Sequence, residues 1–433
     1  MSSSLVNTKA YKRLELLFDN GEFEELDALL SDGVVCGFGT VGGNAVYAFS
    51  QNVEASLGAI GVKQCKKINK LYSLAGKTGC PIVGIYDSNG VKLDEGFEVI
   101  NEYGELVKSS ASLSGVVPQI AVAAGACLGT SALIAGLADV VIALKDADFY
   151  VTAPSEITVD DSAAKGAADI VAESFEDAVK SVNALLSLLP ANNLDSTGFF
   201  EIEEPSVVVN ENMTANELIG AICDGGISVE LKAEYAKEAV TVLSSVGGQP
   251  SGVICFNGVA LTCAAEYKAE AFIKLCDAFN IPIITIADNN GIERNNEPSQ
   301  LVSAVKLASA YAGATCPKIS LVTKNSIGLA YVLLAGKGAN ADITIAWENA
   351  VISPLETDSA VAFLYSDRLA AGEDRELLML EYKKSLASAE AAAEDGAVDE
   401  IISPGETRAK LISSLDILSG KREITIARKH SVK

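Results

Sequence analysis

The chain has 433 residues and a formal net charge of −24 at neutral pH, and 49% of its residues are hydrophobic. This length allows two or three domains with large cores. The acidic balance argues against a nucleic-acid partner or an anionic membrane surface, because binding to phosphate requires a basic surface. No segment has the continuous apolar run of a signal peptide or a membrane span, which predicts a cytoplasmic protein.

Histidine and cysteine usage narrows the possible chemistry. The only histidine is His430, which argues against Ser-His-Asp and Cys-His catalysis in the body of the chain and against any multi-histidine metal site. The nine cysteines include no C-x-x-C pair, and most lie among apolar residues, as Cys127 and Cys255 do. We therefore interpret them as reduced core residues and expect no bound metal.

The N-terminal 32 residues have the amphipathic pattern of one or two helices. Strands and helices then alternate, and the first predicted bounds are 45–51 (strand), 61–78 (helix), 81–87 (strand), 97–115 (helix), 118–125 (strand), 129–137 (helix) and 139–146 (strand). Continuous apolar strands separated by helices indicate parallel pairing with both faces of the sheet covered. The predicted fold class is therefore α/β.

The second half of the chain continues this alternation. Four further segments have predicted bounds of 174–190 (helix ending at Pro190), 214–235 (short helix and strand), 374–402 (helical) and 404–418 (helix). We divide the chain into an N-terminal helical segment, residues 1–32, and two domains, residues 33–205 and 206–433.

The two domains share an internal repeat. The segment "CPIVGIYDSNG" (80–90) returns as "IPIITIADNNG" (281–291), with proline, aspartate and glycine at the same distances from one another. Later positions also correspond at an offset of about 200 residues, down to a short strand that ends in Pro154 in one copy and in Pro354 in the other. A repeat of this length indicates duplication of a whole domain rather than a solenoid.

Each copy contains a glycine where a predicted strand leads into a helix. These segments are "GACLGTSAL" (125–133) and "KNSIGLAYVL" (324–333). The first N–H groups of a helix have no intrahelical acceptor, and a glycine beside them lets a ligand approach closely. Such N–H groups stabilise a carbonyl oxygen that becomes an enolate. The alternative is that these glycines only allow helix and strand to pack.

Several colinear motifs resemble the carboxyltransferase subunits of biotin-dependent acyl-CoA carboxylases and decarboxylases, which have the crotonase fold. The motifs are "GFGTVGGNAVYAFSQN" (37–52), "YDSNGVKLDEG" (86–96), "SGVVPQIAVAAGACLGTSA" (114–132), "CDAFNIPIITIADNNG" (276–291) and the ending 407–433. The resemblance implies two tandem crotonase-like domains of the ββα superhelix type, related by duplication.

The resemblance also implies a reaction and its site residues. A carboxyl group would move between biotin, carried on a partner protein, and an acyl-CoA, with no metal and no protein base, because the cofactor supplies the base. Gly129 and Thr130 would hold the thioester oxygen, and Gly328 and Leu329 the biotin oxygen. Further residues expected to bind substrate are Ser88, Asn89, Gly90, Lys92, Asn290, Gly291 and Val332.

The implied partners are a biotin carboxyl carrier protein with either a biotin carboxylase or membrane decarboxylase subunits. The family commonly forms hexamers, so we expect a homo-oligomer, a dimer or a trimer of dimers. Its active sites form where the N-terminal copy of one subunit meets the C-terminal copy of another. Lys92 and Lys165 are candidates for contact with the phosphates of coenzyme A.

The sequence also departs from the family pattern. Thr130 and Leu329 replace the second glycine of each Gly-Gly pair, and "SPLETDSAV" (353–361) has lost glycines and gained Glu356 and Asp358. Two alternatives therefore stay open. One is a weak or inactive paralogue that scaffolds a carboxylase complex. The other is a crotonase-like hydratase or isomerase without biotin, for which Glu356 is the candidate carboxylate.

Overall fold

The computed structural model describes residues 5–30, 32–152, 156–334, 336–424 and 426. The chain forms two compact units. The first comprises Met1–Gly198 with Leu231–Tyr235, and the second comprises Phe199–Glu230 with Ala236–Lys433. Pro154 and His430, which the sequence analysis names, lie outside the described residues.

The first unit is a sheet covered by helices. Its elements are α1 (Lys9–Leu17), β1 (Phe23–Leu26), β2 (Val34–Val41), β3 (Asn44–Gln51), α2 (Val62–Thr78), β4 (Ile82–Ser88), α3 (Gly96–Leu113), β5 (Gln119–Leu128), α4 (Thr130–Ala135), β6 (Val140–Leu144), β7 (Asp148–Tyr150), α5 (Val159–Ala163), β8 (Ile170–Ala172) and α6 (Phe175–Leu188). The strand order is β1-β2-β3-β4-β5-β6-β8, and β7 pairs with β5. Pairing is antiparallel from β1 to β3 and parallel from β3 onward.

The second unit repeats this design. Its elements are α7 (Ala215–Ile222), β9 (Ser228–Leu231), β10 (Ala239–Val246), β11 (Gln249–Phe256), α8 (Cys263–Ala278), β12 (Ile283–Asn289), α9 (Glu297–Gly313), β13 (Lys318–Ile327), α10 (Leu329–Leu333), β14 (Ile343–Trp347), β15 (Val351–Ser353), α11 (Thr357–Leu364), α12 (Ser366–Ala370), α13 (Arg375–Leu386), α14 (Ala389–Glu394), β16 (Glu400–Ile402) and α15 (Thr407–Leu418). The strand order is β9-β10-β11-β12-β13-β14-β16, and β15 pairs with β13.

The two sheets match strand for strand, as the internal repeat predicts. In each, one antiparallel hairpin leads into parallel strands, and a short extra strand pairs with the end of the longest parallel strand. The hydrogen-bond register also shifts at the same place, between Tyr86 and Ser88 in the first sheet and between Ala287 and Asn289 in the second. Such irregularities re-aim side chains near the ends of strands.

Burial explains why the parallel strands are the most predictable elements. Every residue of β4 is buried, as expected for a strand with helices on both faces. The adjoining helix α2 buries one stripe of side chains, which includes Cys65, Ile68 and Leu71. The helix ends at Gly79, whose φ of 67° provides a left-handed cap. All nine cysteines are unpaired, and all except Cys80 and Cys263 are buried, so the predicted core location is confirmed for seven of them.

The N-terminal segment contains a strand as well as a helix. The prediction of helix is confirmed for α1, but it is wrong for β1, which pairs with β2 in the first sheet. The ring of Phe23 lies 4.9 Å from that of Tyr11 and 5.3 Å from that of Phe18, so these aromatic contacts accompany the pairing of β1. In the second unit, α7 and β9 precede the hairpin β10–β11 in the same way, so the repeat includes this segment.

The predicted helical region 374–402 is divided into α13, α14 and β16. The break lies at Ala387, whose carbonyl accepts the N–H of Ile352 at 3.0 Å, and Ser388 then caps α14 by accepting the N–H of Ala391 at 3.1 Å. The last three residues, Glu400–Ile402, pair in parallel with β14. A sheet contact distant in sequence therefore overrides the local helical pattern.

Candidate functional site

The first candidate site lies where β5 ends and α4 begins. Ser88 pairs with Cys127, and Leu128 pairs with Tyr150 of β7, so three strand ends come together beside Gly129. The backbone of Gly129 has φ 58° and ψ −122°, a combination that residues with a Cβ atom rarely adopt. Its N–H donates to the carbonyl of Tyr150 at 3.1 Å.

The second unit repeats this geometry where β13 leads into α10. Gly328 has φ 61° and ψ −133°, and its N–H donates to the carbonyl of Ser353 at 2.7 Å. Asn289 pairs with Ser326 just before this point. The two glycines therefore have the same conformation and the same type of hydrogen bond in both copies.

These hydrogen bonds change which N–H groups are open to a ligand. The N–H groups of Gly129 and Gly328 already donate to the carbonyls of Tyr150 and Ser353, and the roles expected for these two glycines stay predictions. Among the described residues, no acceptor faces the N–H groups of Thr130 and Leu329, which are the first of α4 and α10 and follow glycines without a capping side chain. The first N–H of each helix, at Thr130 and Leu329, is therefore left without a capping side chain, and the conformation of the preceding glycine sets its direction.

The turn after β4 is built by the residues that we expected to bind substrate. Ser88 is completely buried, and its Oγ accepts the N–H of Gly90 at 3.2 Å. Asn89 donates its side-chain amide to the carbonyl of Leu57 at 3.2 Å, and the carbonyl of Gly90 accepts the N–H of Ile60 at 2.9 Å. Because Ser88 has no exposed surface, its side chain shapes the turn. Its role in substrate binding stays a prediction.

The equivalent turn after β12 has the same construction with different side chains. Asn289, also completely buried, accepts the N–H of Gly291 through Oδ1 at 2.7 Å and donates to the carbonyl of Val259 at 2.8 Å. Asn290 is exposed, and its amide donates to the carbonyl of Gly258. The sequence analysis missed Asn289, although its position in the repeat, matching Ser88, could have identified it.

The remaining candidates lie at or near the surface. Lys92 pairs with Glu95, with Nζ 3.3 Å from Oε1, whereas Lys165 is exposed. Val332 is 47% exposed on α10. Glu356 is exposed and precedes α11, where it makes no side-chain cap. The structure thus groups Leu329 and Val332 on one short helix and leaves Glu356 as a surface carboxylate.

A charged pair that the sequence analysis missed lies beneath the first site. Arg13 of α1 donates to Oδ2 of Asp87 at 2.7 Å, and both side chains are 5% exposed. In the second unit Asp288 has a looser arrangement, with Lys324 Nζ at 3.8 Å and the N–H of Asn325 at 3.3 Å. Burial raises the pKa of Asp288, and the N–H of Asn325 and the charge of Lys324 oppose that rise.

Within the described ranges of the chain, no group of three or more His, Cys, Asp or Glu side chains is placed to hold a metal ion. Within the same ranges, no helix is both long and apolar enough to cross a membrane.

Comparison with known proteins gives matches over nearly the whole chain. The family model described as carboxyl transferase domain matches residues 4–432. The methylmalonyl-CoA decarboxylase alpha subunit of Propionigenium modestum is 30% identical, over 97% of this chain and 92% of that one. The propionyl-CoA carboxylase beta chain of Saccharopolyspora erythraea is 32% identical, over 97% of this chain and 89% of that one. These matches confirm the resemblance drawn from the motifs.

Among solved structures, a transcarboxylase 12S crystal structure matches with a TM-score of 0.92 and 29% identity, covering 98% of this chain and 92% of that one. That protein is described as a hexamer assembly and multienzyme core, with methylmalonyl-CoA and methylmalonic acid bound. The match confirms the predicted fold class of two tandem α/β domains of the crotonase type.

Proposed function

The chain belongs to the carboxyl transferase domain family, and from that premise we propose that it moves a carboxyl group between biotin and a short-chain acyl-CoA. The observation that most supports this proposal is the glycine geometry found in both units. Gly129 and Gly328 have nearly the same backbone angles, and each presents the open N–H of the following residue. The duplicated turn then serves two ligands, one in each unit.

In the first unit, the N–H of Thr130 would hold the thioester oxygen as negative charge develops on it. A fixed backbone donor stabilises this charge without reorganisation, which is the largest contribution in many reactions of this kind. In the second unit, the N–H of Leu329 would hold the ureido oxygen of biotin, and a single neutral donor fits such an oxygen. Biotin, when bound, would supply the carboxyl group and accept the α-proton, so the chain needs no side-chain base.

The relatives suggest the substrate class and the partners. Their names specify propionyl-CoA and methylmalonyl-CoA, which supports a short acyl group for this chain. We extend the proposal to a biotin carrier protein, to a biotin carboxylase or decarboxylase partner, to a homo-oligomer and to a cytoplasmic location. The direction of the reaction would then depend on which partner is present.

A second candidate is a weak or inactive paralogue that scaffolds a complex. The observation in its favour is Leu329, which is 53% exposed at the second site, where its side chain could obstruct a ligand. The biotin-independent hydratase gains no support, because Glu356 is exposed on the surface.

The proposal is tested by incubating the purified protein with methylmalonyl-CoA or malonyl-CoA, with and without free biotin. We expect loss of the substrate carboxylate that depends on biotin. Absence of turnover in folded, assembled protein would contradict the proposal and favour the scaffold. Turnover that does not depend on biotin would contradict both.

A further inference from the structure

The ends of β4 and β5 are joined by one buried side chain from α1. Arg13 is 4% exposed, and its guanidinium donates to Asp87 Oδ2 at 2.7 Å and to the carbonyl of Ala124 at 2.6 Å. Asp87 is the next-to-last residue of β4, directly before Ser88, and Ala124 lies on β5. One planar group therefore links the two strands that carry the turn and Gly129.

The surroundings of Asp87 are shaped for this contact. A Cβ atom at Gly125 would lie 2.3 Å from Asp87 Oδ1, so the glycine makes room for the carboxylate. The N–H of Asp87 donates to Gln51 Oε1 at 2.9 Å, and the Arg13 guanidinium lies 5.7 Å from the ring centre of Phe175. A buried charge pair whose cation also donates to a backbone carbonyl restricts the geometry of the two strands that it joins.

Among the described residues of the second unit, no side chain forms an equivalent linkage. The counterpart of α1 in this unit, the helix α7, contains no basic residue, and Lys324 on β13 approaches Asp288 instead, with a side chain 48% exposed. Thr323 and Lys324 line a cavity of about 360 Å³. In the described parts of the two units, the cations that face this aspartate therefore come from different elements. Arg13 is the tightly held one, whereas Lys9 of α1 lies 3.8 Å from Asp87 Oδ2 with a side chain 59% exposed.

We propose that Arg13 is a positioning residue for the acyl-CoA site, an inference that rests on the proposed function. Through Asp87 and Ala124 it fixes β4 against β5, and thereby sets where the N–H of Thr130 points. A small misplacement of a donor far from the reacting atoms lowers turnover strongly. Arg13 itself does not touch the substrate.

The test uses Arg13→Lys, which retains the charge but not the planar fork, and Arg13→Met, which removes both. Lys12→Met is the matched control, because Lys12 is the exposed neighbour on the same helix. With methylmalonyl-CoA and biotin, we expect kcat to fall roughly 100-fold in Arg13→Met and about 10-fold in Arg13→Lys, with KM for the thioester changing less than about threefold. Lys12→Met should match the unaltered protein.

Amide hydrogen exchange provides a second measurement that does not require activity. In Arg13→Lys, peptides covering 124–132 should exchange faster, while those covering α2 should keep their protection. Unchanged exchange at 124–132, or a kcat within twofold of the unaltered protein, would overturn the positioning role. Equal loss of protection throughout the first unit would also overturn it, because the pair would then be purely structural. If the unaltered protein shows no biotin-dependent turnover, the proposed function fails, and exchange alone decides the role of Arg13.

Discussion

Gly129 and Gly328 show how much of the site depends on backbone conformation. Both have positive φ with ψ near −120° to −130°, a region in which a Cβ atom is strained. Space is not the constraint at Gly129, because the nearest atom to an added Cβ would be the carbonyl oxygen of Val151 at 3.8 Å. An alanine at this position would therefore alter the direction of the next N–H rather than clash with a neighbour.

Gly129→Ala should lower biotin-dependent turnover of methylmalonyl-CoA by about 100-fold, because the N–H of Thr130 moves away from the developing charge. The strain should also cost roughly 1 to 3 kcal/mol of stability. Gly104→Ala is the control, since Gly104 is an exposed helical position with no atom near an added Cβ. Turnover in Gly129→Ala within threefold of the control, measured by loss of the substrate carboxylate, would contradict the assignment.

Asp139 and Asp342 occupy matching positions but have different surroundings. Asp139 Oδ2 accepts the N–H of Gln119 at 2.8 Å, and Asp342 Oδ2 accepts the N–H of Lys318 at the same distance and also pairs with Lys421 at 2.9 Å. Burial raises the pKa of Asp139 to about 7, the N–H of Gln119 opposes that rise, and the charge of Asp169 adds to it. The folded state therefore holds this proton more tightly than the unfolded chain does.

The sign of the pH dependence follows from this shift. Between about pH 4 and pH 7, Asp139 is ionised in the unfolded chain but still protonated in the folded protein. The free energy of unfolding therefore decreases as the pH rises through this window, and Asp139 causes no further decrease above it. Asp139→Asn removes this titration. The melting temperature of Asp139→Asn minus that of the unaltered protein should therefore increase from pH 5 to pH 8, by the equivalent of about 1 to 3 kcal/mol. Asp342→Asn, which breaks the ion pair with Lys421, should instead lower the melting temperature at pH 8. A difference for Asp139→Asn that does not change with pH would refute this explanation.

At the scale of elements, the break between α13 and α14 shows how tertiary contacts divide a helical sequence. The N-cap Ser388 also forms an isolated bridge with Val351, the first residue of β15. The cap and the bridge together mark the start of α14 before β16 joins the sheet. The sequence of this region is rich in good helix formers, so its local propensity alone favours one longer helix.

Ser388→Ala should remove the cap of α14 and destabilise that helix by about 1 kcal/mol. Ser385→Ala is the control, because Ser385 lies within α13 and its hydroxyl only donates back to the carbonyl of Glu381 at 2.8 Å. Exchange of the amides in 389–396 should accelerate several-fold in Ser388→Ala and stay unchanged in Ser385→Ala. Equal exchange in the two variants would show that the bridge, and not the cap, determines the helix start.

The elements that could be predicted from the sequence are those with long, continuous patterns. The buried strands β4 and β12 and the amphipathic helix α2 follow from their own residues. The strand β1 could not be predicted, because its four residues, "FEEL", include two glutamates and carry no clear period. Its conformation comes from pairing with β2 and from rings that pack against Phe23, which are tertiary contacts.

The candidate site shows the same division. The spacing of the repeat located Gly129 and Gly328, because the conformation that they require is a local property. It did not identify Arg13, since Asp87 lies 74 residues further along the chain and no local pattern marks their pairing. Nor did it reveal that each glycine N–H is already hydrogen-bonded to a short strand, because that bond depends on how β7 and β15 dock.

At the scale of the whole molecule, the chain consists of a duplicated unit, and we propose that its two copies hold different ligands. Both copies retain the glycine, the bulge and the turn. They differ in the side chain after the glycine, Thr130 or Leu329. They also differ in the cations near the aspartate, which are Arg13 and Lys9 in the first unit and Lys324 in the second. Conserved backbone geometry with altered side chains is what two ligands with similar carbonyl oxygens but different shapes would require.

The most direct test of this division is deuterium uptake of the full chain, measured by mass spectrometry with either saturating propionyl-CoA or saturating biotin. We predict that propionyl-CoA protects peptides covering 126–135 and leaves 325–333 unchanged, and that biotin does the reverse. Protection of the same peptides by both ligands, or protection of neither segment under conditions in which the ligands bind, would contradict the assignment of one unit to each ligand.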